Sequence, residues 1–279
     1  MSPCPLLGPP QFDEFVINIM ASLNPKIENW QGRSVWIVGA SSGIGLALAK
    51  ALSLRGARVA VSARKEDALR AFVQSNPASF AAPIDVQDPD SVQAACWAVK
   101  AHQGLDVVVY CAGHYLPQDA KAFDAQQLIL HQEVNYLGAV RVLAEVLPIL
   151  TAQGAGHLSL ISSVAGYRGL PKSLAYGPTK AALTHLAECL YMDLHELGLG
   201  VSAVLPGFVS TPLTAQNTFE MPALISPEEA ASAMIRGYAR GEFEIHFPKR
   251  FTRVLKVLRC LPYAWYFPLV SRLTKGAKS

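Results

Sequence analysis

A serine, a tyrosine and a lysine lie within the segment LISSVAGYRGLPKSLAYGPTKAAL, in an arrangement that could move a proton. Tyr176 and Lys180 are four residues apart, so on a helix they share one face. Because a neighbouring ammonium group favours the ionised form of a tyrosine, Tyr176 could give or take a proton near neutral pH. Ser163 comes earlier in the segment, where its hydroxyl could hold a carbonyl oxygen. The three residues predict acid–base chemistry at a carbonyl or an alcohol.

The spacing of Tyr176 and Lys180 is common by chance and often marks two surface residues, so the surrounding elements decide its meaning. Pro178 lacks an N–H, so it should lie in the first turn of a helix or kink it, which places both side chains at the N-terminus of that helix. Ser163 ends an apolar run that has the character of a strand. In a parallel α/β sheet both positions lie at the carboxyl edge, where ligands bind.

Apolar strand-like runs alternate with helical segments of ten or more residues from Ser34 onward. The runs are rich in Val, Ile and Leu, which is typical of strands covered on both faces. This pattern predicts an α/β fold, a single domain with a doubly wound parallel sheet, over residues 32–248. Residues 1–31 are predicted as an N-terminal extension and residues 249–279 as a basic amphipathic C-terminal extension. The predicted strands are SVWIVGA, RVAVSA, FAAPIDV, LDVVVYCAG, GHLSLISS, GVSAVLPG and EFEIHFP.

A glycine-rich turn, Gly39-Ala-Ser-Ser-Gly43-Ile-Gly45, joins the first predicted strand to the first predicted helix. Gly39 permits a tight turn, Gly43 lets a ligand approach the backbone, and Gly45 lets the helix pack on the strand. The free N–H groups of the helix could then meet a pyrophosphate. The spacing differs from G-x-G-x-x-G, and such a turn can also be merely structural. Its position between strand and helix favours a dinucleotide-binding, Rossmann-type fold.

The end of the second predicted strand bears on which dinucleotide is bound. In such folds an acid at this place bonds the ribose 2′-hydroxyl, whereas an arginine accommodates a 2′-phosphate. Here Ala63 takes the place of the acid, and Arg64 and Lys65 follow. The sequence therefore favours NADP(H) over NAD(H), and the alternative is a solvated basic pair.

Taken together, these motifs resemble the short-chain dehydrogenase/reductase (SDR) family over about residues 33–248. The matching residues occur in family order: Gly39, Gly43 and Gly45, Asp85, Ala112-Gly113, Asn135, Ser163, Tyr176 with Lys180, and Pro206-Gly207. The resemblance implies a catalytic tetrad of Asn135, Ser163, Tyr176 and Lys180.

The same resemblance implies a role for each member of the tetrad. Tyr176 would be the acid/base, and Lys180 would lower its pKa and bind the nicotinamide ribose. Ser163 would orient the carbonyl, and Asn135 would hold a helix kink and a water of the proton relay. The implied cofactor-binding residues are Gly39, Ser41, Ser42, Gly43, Ile44, Gly45, Arg64, Asp85, Val86, Ala112, Gly113, Tyr176, Lys180, Pro206, Gly207, Val209 and Thr211, with Ile161 and Ser162 under the nicotinamide.

Two positions depart from the family pattern. The family's Asn-Asn-Ala-Gly reads Tyr110-Cys111-Ala112-Gly113 here, and Val38 stands before the first glycine where Thr is common. In the family the role of the first place is largely structural and backbone-mediated, and at the second place some local hydrogen bonding is lost, so the implied activity is kept.

Composition excludes several classes of protein. The chain has 279 residues, 51% hydrophobic and 16% charged, so it is no disordered protein. No apolar run reaches about 18 residues, so no transmembrane helix is predicted. The five cysteines form no CxxC pair and the histidines no ligand-spaced cluster, so neither a metal site nor a disulfide framework is predicted. A cytoplasmic protein that binds no nucleic acid is the expectation.

The C-terminal extension has an unusual charge. The whole chain has a net charge of +3, but residues 249–279 hold eight basic residues and no acid. Phe251, Val254, Leu255 and Leu258 form a helical apolar stripe, and an aromatic run follows that Pro262 and Pro268 are expected to break into short pieces. Such a segment suits an anionic membrane surface. Equally, it could pack on the domain or cover the substrate cleft, and both readings favour an apolar substrate.

The first function hypothesis is an NADP(H)-dependent oxidoreductase that interconverts a ketone or aldehyde and an alcohol on a hydrophobic or lipid-like substrate. The alternatives are a non-catalytic NADP(H)-binding sensor or scaffold and a peripheral lipid-binding protein. The resemblance implies a homodimer that pairs the helices at about 126–150 and 175–198. Leucines 183, 186, 190 and 194 could line that interface or face the sheet.

Overall fold

The sheet of the protein is entirely parallel. A computed structural model describes residues 22–217 and 219–276, and within them seven strands pair in the order β3-β2-β1-β4-β5-β6-β7. The strands are β1 Ser34–Val38, β2 Arg58–Ser62, β3 Phe80–Ala81, β4 Val107–Tyr110, β5 Gly156–Ile161, β6 Leu199–Pro206 and β7 Glu244–Phe247. This order confirms the predicted doubly wound sheet.

Eight α-helices of the described residues surround the sheet. They are α1 Gly43–Ser53, α2 Glu66–Ser75, α3 Pro89–Gln103, α4 Ala125–Gln153, α5 Tyr176–Leu194, α6 Pro227–Arg240, α7 Lys249–Arg259 and α8 Tyr263–Gly276. Alternate residues of β1 belong to different cores: Trp36 packs with α3, α4 and α5, and Ile37 packs with α1, α2 and α6. Both sheet faces are therefore covered, which accounts for the uninterrupted apolar strands.

The strand order reverses between β1 and β4, and this switch point is where open α/β sheets bind ligands. The residues that follow these strands approach each other closely. Gly39 has φ +94°, and a Cβ there would collide with the backbone of Ala112. The glycine at position 39 thus serves both the turn and the contact between two loops of the carboxyl edge.

Two predicted elements differ from their observed form. The predicted strand FAAPIDV is reduced to Phe80–Ala81. Ala82 still donates to Val61 of β2, but Ile84 donates to Ala63, because β2 itself ends at Ser62. The long helix α4 is not regular, since a π-helical turn at Glu133–Leu137 lies between its two α-helical parts.

The segment before β1 is packed onto the domain. Asn24, Ile27 and Trp30 are buried, although the sequence assigns them to the N-terminal extension. The Asn24 side chain donates to the carbonyl of Val201 and accepts from its N–H. Residues 1–21, which include Cys4, lie outside the described residues.

Helix α8 is continuous from Tyr263 to Gly276, with Pro268 inside it. The expectation that Pro268 breaks this run into short pieces is therefore wrong. A proline inside a helix removes one backbone hydrogen bond, and here packing compensates, because Tyr266 and Val270 on the two sides of Pro268 are buried.

The apolar helices α4 and α5 both bury one side in the core of the domain. Helix α4 is long and apolar enough to cross a membrane, but Val142, Val146 and Leu150 bury one of its sides in the sheet core. In α5, leucines 183, 190 and 194 are buried in the same core and Leu186 packs against it. The leucine stripe of α5 thus faces the sheet.

Candidate active site

The start of α5 carries the predicted acid–base pair. Tyr176 is the first residue of the helix and Pro178 lies in its first turn, as the sequence predicts. Lys180 lies one turn further and is only 4% exposed. Both side chains are therefore held by the helix N-terminus at the carboxyl edge of the sheet.

Ser163 lies just beyond β5 in an extended conformation. Its hydroxyl accepts a hydrogen bond from the N–H of Ala165 at 3.1 Å and lies 3.5 Å from the carbonyl of Pro206. These contacts fix the hydroxyl between the ends of β5 and β6, beside the phenol of Tyr176.

The ammonium group of Lys180 is buried. Its Nζ donates to the carbonyl of Ile161 at 2.7 Å and lies 5.5 Å from the centre of the Tyr176 ring. Burial lowers the pKa of Lys180 from its ordinary 10.5 to about 8, because a charged group loses its hydration there. The lysine is thus oriented by a backbone carbonyl of β5.

The ionisation of Tyr176 differs from the sequence-based expectation. Burial raises the pKa of Tyr176 well above its ordinary value, and the neighbouring hydroxyl of Ser163 opposes this only in part. The ammonium group of Lys180, which was expected to lower this pKa, donates instead to the carbonyl of Ile161 and lies 5.5 Å from the centre of the Tyr176 ring. In the protein alone, Tyr176 therefore keeps its proton at neutral pH.

Asn135 connects three segments of the site. It lies in the π-helical turn of α4 and is fully buried. Its Nδ2 donates to the carbonyl of His114 and to Oγ1 of Thr179, both at 3.0 Å, and its Oδ1 accepts from the N–H of His114. Thr179 donates in turn to the carbonyl of Tyr176. Where a kink was expected, Asn135 thus lies in a π-helical turn, and its hydrogen bonds join the loop after β4 to the start of α5.

Tyr110, the first departure from the family pattern, supports the same turn. Its hydroxyl donates to the carbonyl of Val134, and a Cβ at Gly138 would collide with that hydroxyl. The tyrosine thus fills the space beneath the π-helical turn and bonds one of its carbonyls. The neighbouring Cys111 is a free thiol whose pKa burial raises to about 11.

The glycine turn fits a dinucleotide phosphate. Ser42 precedes α1 in an extended conformation and its side chain makes no capping hydrogen bond, so the first N–H groups of the helix have no side-chain acceptor there. A Cβ at Gly45 would collide with the carbonyl of Gly39, and one at Gly43 would lie 3.0 Å from the Thr211 side chain. Only glycines permit this close arrangement of turn, helix and opposite loop.

The remaining predicted cofactor residues follow the strand ends. A Cβ at Gly113 would lie 3.6 Å from Oδ1 of Asn135 and 3.9 Å from Nζ of Lys180, so this glycine borders the catalytic groups. Arg64 follows β2 and is exposed. The side chain of Asp85 accepts a hydrogen bond from the N–H of Gln87. The other predicted cofactor residues also lie at the carboxyl edge of the sheet: Ser41, Ser42, Ile44, Val86, Ala112, Pro206, Gly207, Val209 and Thr211.

Sequence reasoning missed Tyr115. Its ring lies 5.0 Å from that of Tyr176, at 78°, and its hydroxyl donates to Oδ1 of Asn217 at 2.7 Å. Gln216 donates to the carbonyl of Tyr115. This residue therefore joins the loop after β4 to the loop after β6, beside the acid–base tyrosine. Its place just after Gly113 was the available signal.

His131 fixes the same loop. Its Nδ1 lies 2.6 Å from the carbonyl of Gln127 and its Nε2 accepts from the N–H of Leu116. A carbonyl only accepts, so Nδ1 carries the proton and the ring is neutral. Burial lowers the pKa of His131, in agreement with that neutral form. The histidine thus positions residues 114–116 without reaching the reacting groups.

Comparison with known proteins points to one family. The family profile described as short chain dehydrogenase matches residues 33–221. An uncharacterized oxidoreductase of Myxococcus xanthus is 36% identical over 81% of this chain and 92% of its own length. Among solved structures, a short-chain type dehydrogenase/reductase from Mycobacterium ulcerans has a TM-score of 0.70 at 25% identity, covering 78% of this chain and 88% of its own. An actinorhodin polyketide ketoreductase variant with NADPH has a TM-score of 0.71 at 25% identity, covering 78% and 97%.

A Lys180→Met variant tests the burial of the ammonium group. Between about pH 8 and the ordinary pKa of 10.5 the unfolded chain binds more protons at this lysine than the folded one, so its contribution to stability rises with pH. Between about pH 7.5 and about pH 9.5 we expect the free energy of unfolding without cofactor to rise by about 2 kcal/mol more in the natural protein than in the variant.

Urea denaturation at the two pH values measures this difference. The matched control is Lys100→Met, at an exposed lysine of α3, which should keep the pH dependence of the natural protein. Equal pH dependence in the natural protein and in Lys180→Met would contradict the assignment.

Proposed function

The chain belongs to the short-chain dehydrogenase/reductase family, and from this premise we propose that it is an NADP(H)-dependent oxidoreductase that interconverts a ketone or aldehyde and an alcohol. The observation that carries the proposal is the connected set of catalytic groups. Ser163 and Tyr176 lie side by side, and Lys180 lies one helical turn beyond Tyr176. Asn135 donates to the hydroxyl of Thr179, which in turn donates to the carbonyl of Tyr176.

In the reducing direction these groups handle the carbonyl oxygen. The hydroxyl of Ser163 donates to that oxygen, and the phenol of Tyr176 gives it a proton as negative charge develops. With its pKa raised by burial, the phenol of Tyr176 is protonated at neutral pH, which is the form that donates a proton in this direction. NADPH, when bound, supplies the hydride to the carbonyl carbon.

The glycine turn and Lys180 would hold the cofactor. The N–H groups at the start of α1 would bind the pyrophosphate, Gly113 would leave room beside Lys180, and the ammonium group of Lys180 would bind the nicotinamide ribose. Arg64, exposed just after β2 and paired with no acid among the described residues, would meet a 2′-phosphate. The alternative of a sensor or scaffold keeps these contacts but predicts no turnover.

Aromatic side chains support a hydrophobic substrate. Phe208 follows Gly207 at the end of β6 and its ring lies 5.7 Å from Phe219 and 5.6 Å from Phe251. Tyr115 adds another ring next to Tyr176. A substrate that reaches Ser163 would thus pass apolar surface.

The four described cysteines are unpaired, which fits a reducing cytoplasm.

Tyr176→Phe tests the chemistry. This change removes the proton donor and keeps the ring, so we expect turnover to fall at least about a hundredfold while cofactor binding stays nearly unchanged. Steady-state kinetics with NADPH and a panel of medium- and long-chain carbonyl compounds measure turnover. Fluorescence titration with NADPH measures cofactor binding.

The matched control is Tyr191→Phe on the same helix, whose hydroxyl bonds the carbonyl of Leu23 instead. It should keep full turnover. Near-normal turnover of Tyr176→Phe would show that another group is the acid/base. A natural protein that binds NADPH but reduces no compound of the panel would favour the sensor.

Arg64→Ala tests the choice of cofactor. We expect the natural protein to bind NADPH at least tenfold tighter than NADH, about 1.4 kcal/mol, and the variant to lose most of that difference. Titration with each cofactor measures the two affinities. The control is Arg70→Ala, at an exposed arginine of α2. Equal affinities of the natural protein for the two cofactors would contradict the proposal.

A homodimer is the assembly that we propose. The resemblance to the family places the interface on α4 and α5, whose sides away from the sheet leave Val140 and Met192 exposed. Light scattering of the natural protein at micromolar concentration should give twice the mass of the 30.0 kDa chain. A monomer in that range would refute the dimer.

A further inference from the structure

The exposed apolar side chains of the protein are concentrated at its C-terminus. Seven of the seventeen large hydrophobic residues that are exposed in the described part of the chain lie in α7 and α8: Val254, Val257, Tyr263, Trp265, Phe267, Leu269 and Leu273. Soluble monomers rarely keep such a group of side chains in water without a use for it. We call the outward sides of α7 and α8 the tail surface.

On α7 the outward side differs from the stripe that the sequence suggests. Phe251 turns inward, since a Cβ at Gly207 would lie 2.9 Å from its ring. The outward stripe instead holds Arg250, Arg253, Val254 and Val257, which are exposed and share one helical face. Cationic and apolar side chains therefore alternate on the side away from the domain.

Helix α8 has the same organisation. Tyr266 and Val270 are buried against the domain, whereas Trp265, Leu269, Arg272 and Leu273 occupy the other side and are exposed. Trp265 is 68% exposed. A tryptophan and leucines flanked by an arginine are the side chains that enter the boundary between lipid headgroups and acyl chains.

Some basic side chains of α7 face acidic residues of the domain, whereas others on α7 and α8 face outward. Lys256 pairs with Glu244 at 2.7 Å and Lys249 lies 3.7 Å from Glu242, so these two neutralise acids of the domain. For Arg250, Arg253 and Arg272 no ion pair occurs within the described residues, and residues 249–279 contain no acid. The outward charge is thus wholly positive, complementary to an anionic surface.

The tail surface is preformed. Arg168 lies 4.2 Å from the ring centres of both Tyr263 and Tyr266, and its guanidinium donates to the carbonyls of Arg259 and Leu261. The hydroxyl of Tyr266 donates to the carbonyl of Gly169. Because these contacts order α7 and α8 in advance, docking costs little conformational entropy.

We propose that the tail surface docks the protein on an anionic lipid bilayer, with the apolar side chains at the headgroup boundary and Arg250, Arg253 and Arg272 at the phosphates. The three arginines each contribute about fivefold in affinity near such a surface. The inward sides of α7 and α8 meanwhile pack on Gly207 and on residues 168–169. Docking therefore brings the entrance of the candidate site close to the lipid, and this last point rests on the proposed function.

Vesicle sedimentation tests the proposal. The full chain should sediment with vesicles of phosphatidylcholine and phosphatidylglycerol, much less with phosphatidylcholine alone, and salt should release part of it. The double variant Trp265→Glu and Leu269→Glu should bind at least about tenfold more weakly. Replacing Arg250, Arg253 and Arg272 by Gln should weaken binding about a hundredfold.

Trp97→Glu is the matched control, because Trp97 is 65% exposed on α3 and outside the tail surface. It should sediment like the natural protein, and all variants should keep NADPH binding and the thermal midpoint. Trp97→Phe leaves Trp265 as the one exposed tryptophan of the described residues, so brominated lipids should quench its fluorescence.

A full chain that stays in the supernatant with anionic vesicles at low salt overturns the proposal. So does a Trp97→Glu variant that loses binding as strongly as the variants of the tail surface. If light scattering instead shows that Trp265→Glu with Leu269→Glu dissociates a dimer, a second copy covers the surface and the lipid reading is wrong. Because vesicle binding is measured without turnover, it remains decisive even where the enzyme assay fails.

Discussion

The buried amide of Asn135 is the interaction on which the arrangement of the candidate site depends. It bonds both backbone groups of His114 and the hydroxyl of Thr179, and so joins the loop after β4, the kink in α4 and the start of α5. The side chain lies in the π-helical turn of α4 and is fully buried, and Tyr110 supports that turn by donating to the carbonyl of Val134. An unpaired amide here would cost about 1–3 kcal/mol, which makes this geometry strongly preferred.

Much of the fold and of the site could be predicted because the determinants are local. Runs of Val, Ile and Leu between helical segments indicated a covered parallel sheet, and its strand order follows that prediction. The glycine turn lies between β1 and α1, and Pro178 marked the first turn of α5. Every motif at the end of a strand falls on the same edge of such a sheet, so the topology brings Ser163, after β5, to the same edge as the glycine turn.

Other features depend on partners far apart in sequence. The pKa of Tyr176 follows from burial by the whole cleft, whereas its spacing from Lys180 suggested the opposite direction. Tyr115 meets Asn217, and no short pattern links residues 102 positions apart. In α7 both Phe251 and Val254 fit an apolar stripe, but Phe251 packs inward on Gly207 and Phe208 whereas Val254 is exposed. Periodicity indicates that a helix is amphipathic, but the surface it packs on determines which side is covered.

The hydrogen bonds of Asn24 to much later parts of the chain have a consequence for the synthesis of the protein. Its side chain bonds Val201 and Glu242, which lie 177 and 218 positions later, and Trp30 packs against Tyr238. Ribosomes add roughly 5–20 residues per second, so this early segment waits roughly 10–40 s before its binding surface emerges. Until then the indole of Trp30 lacks its neighbour Tyr238 on α6. The beginning of the described chain thus finds its native partners late, and its contacts close a loop that spans 218 positions, which carries a large entropic cost.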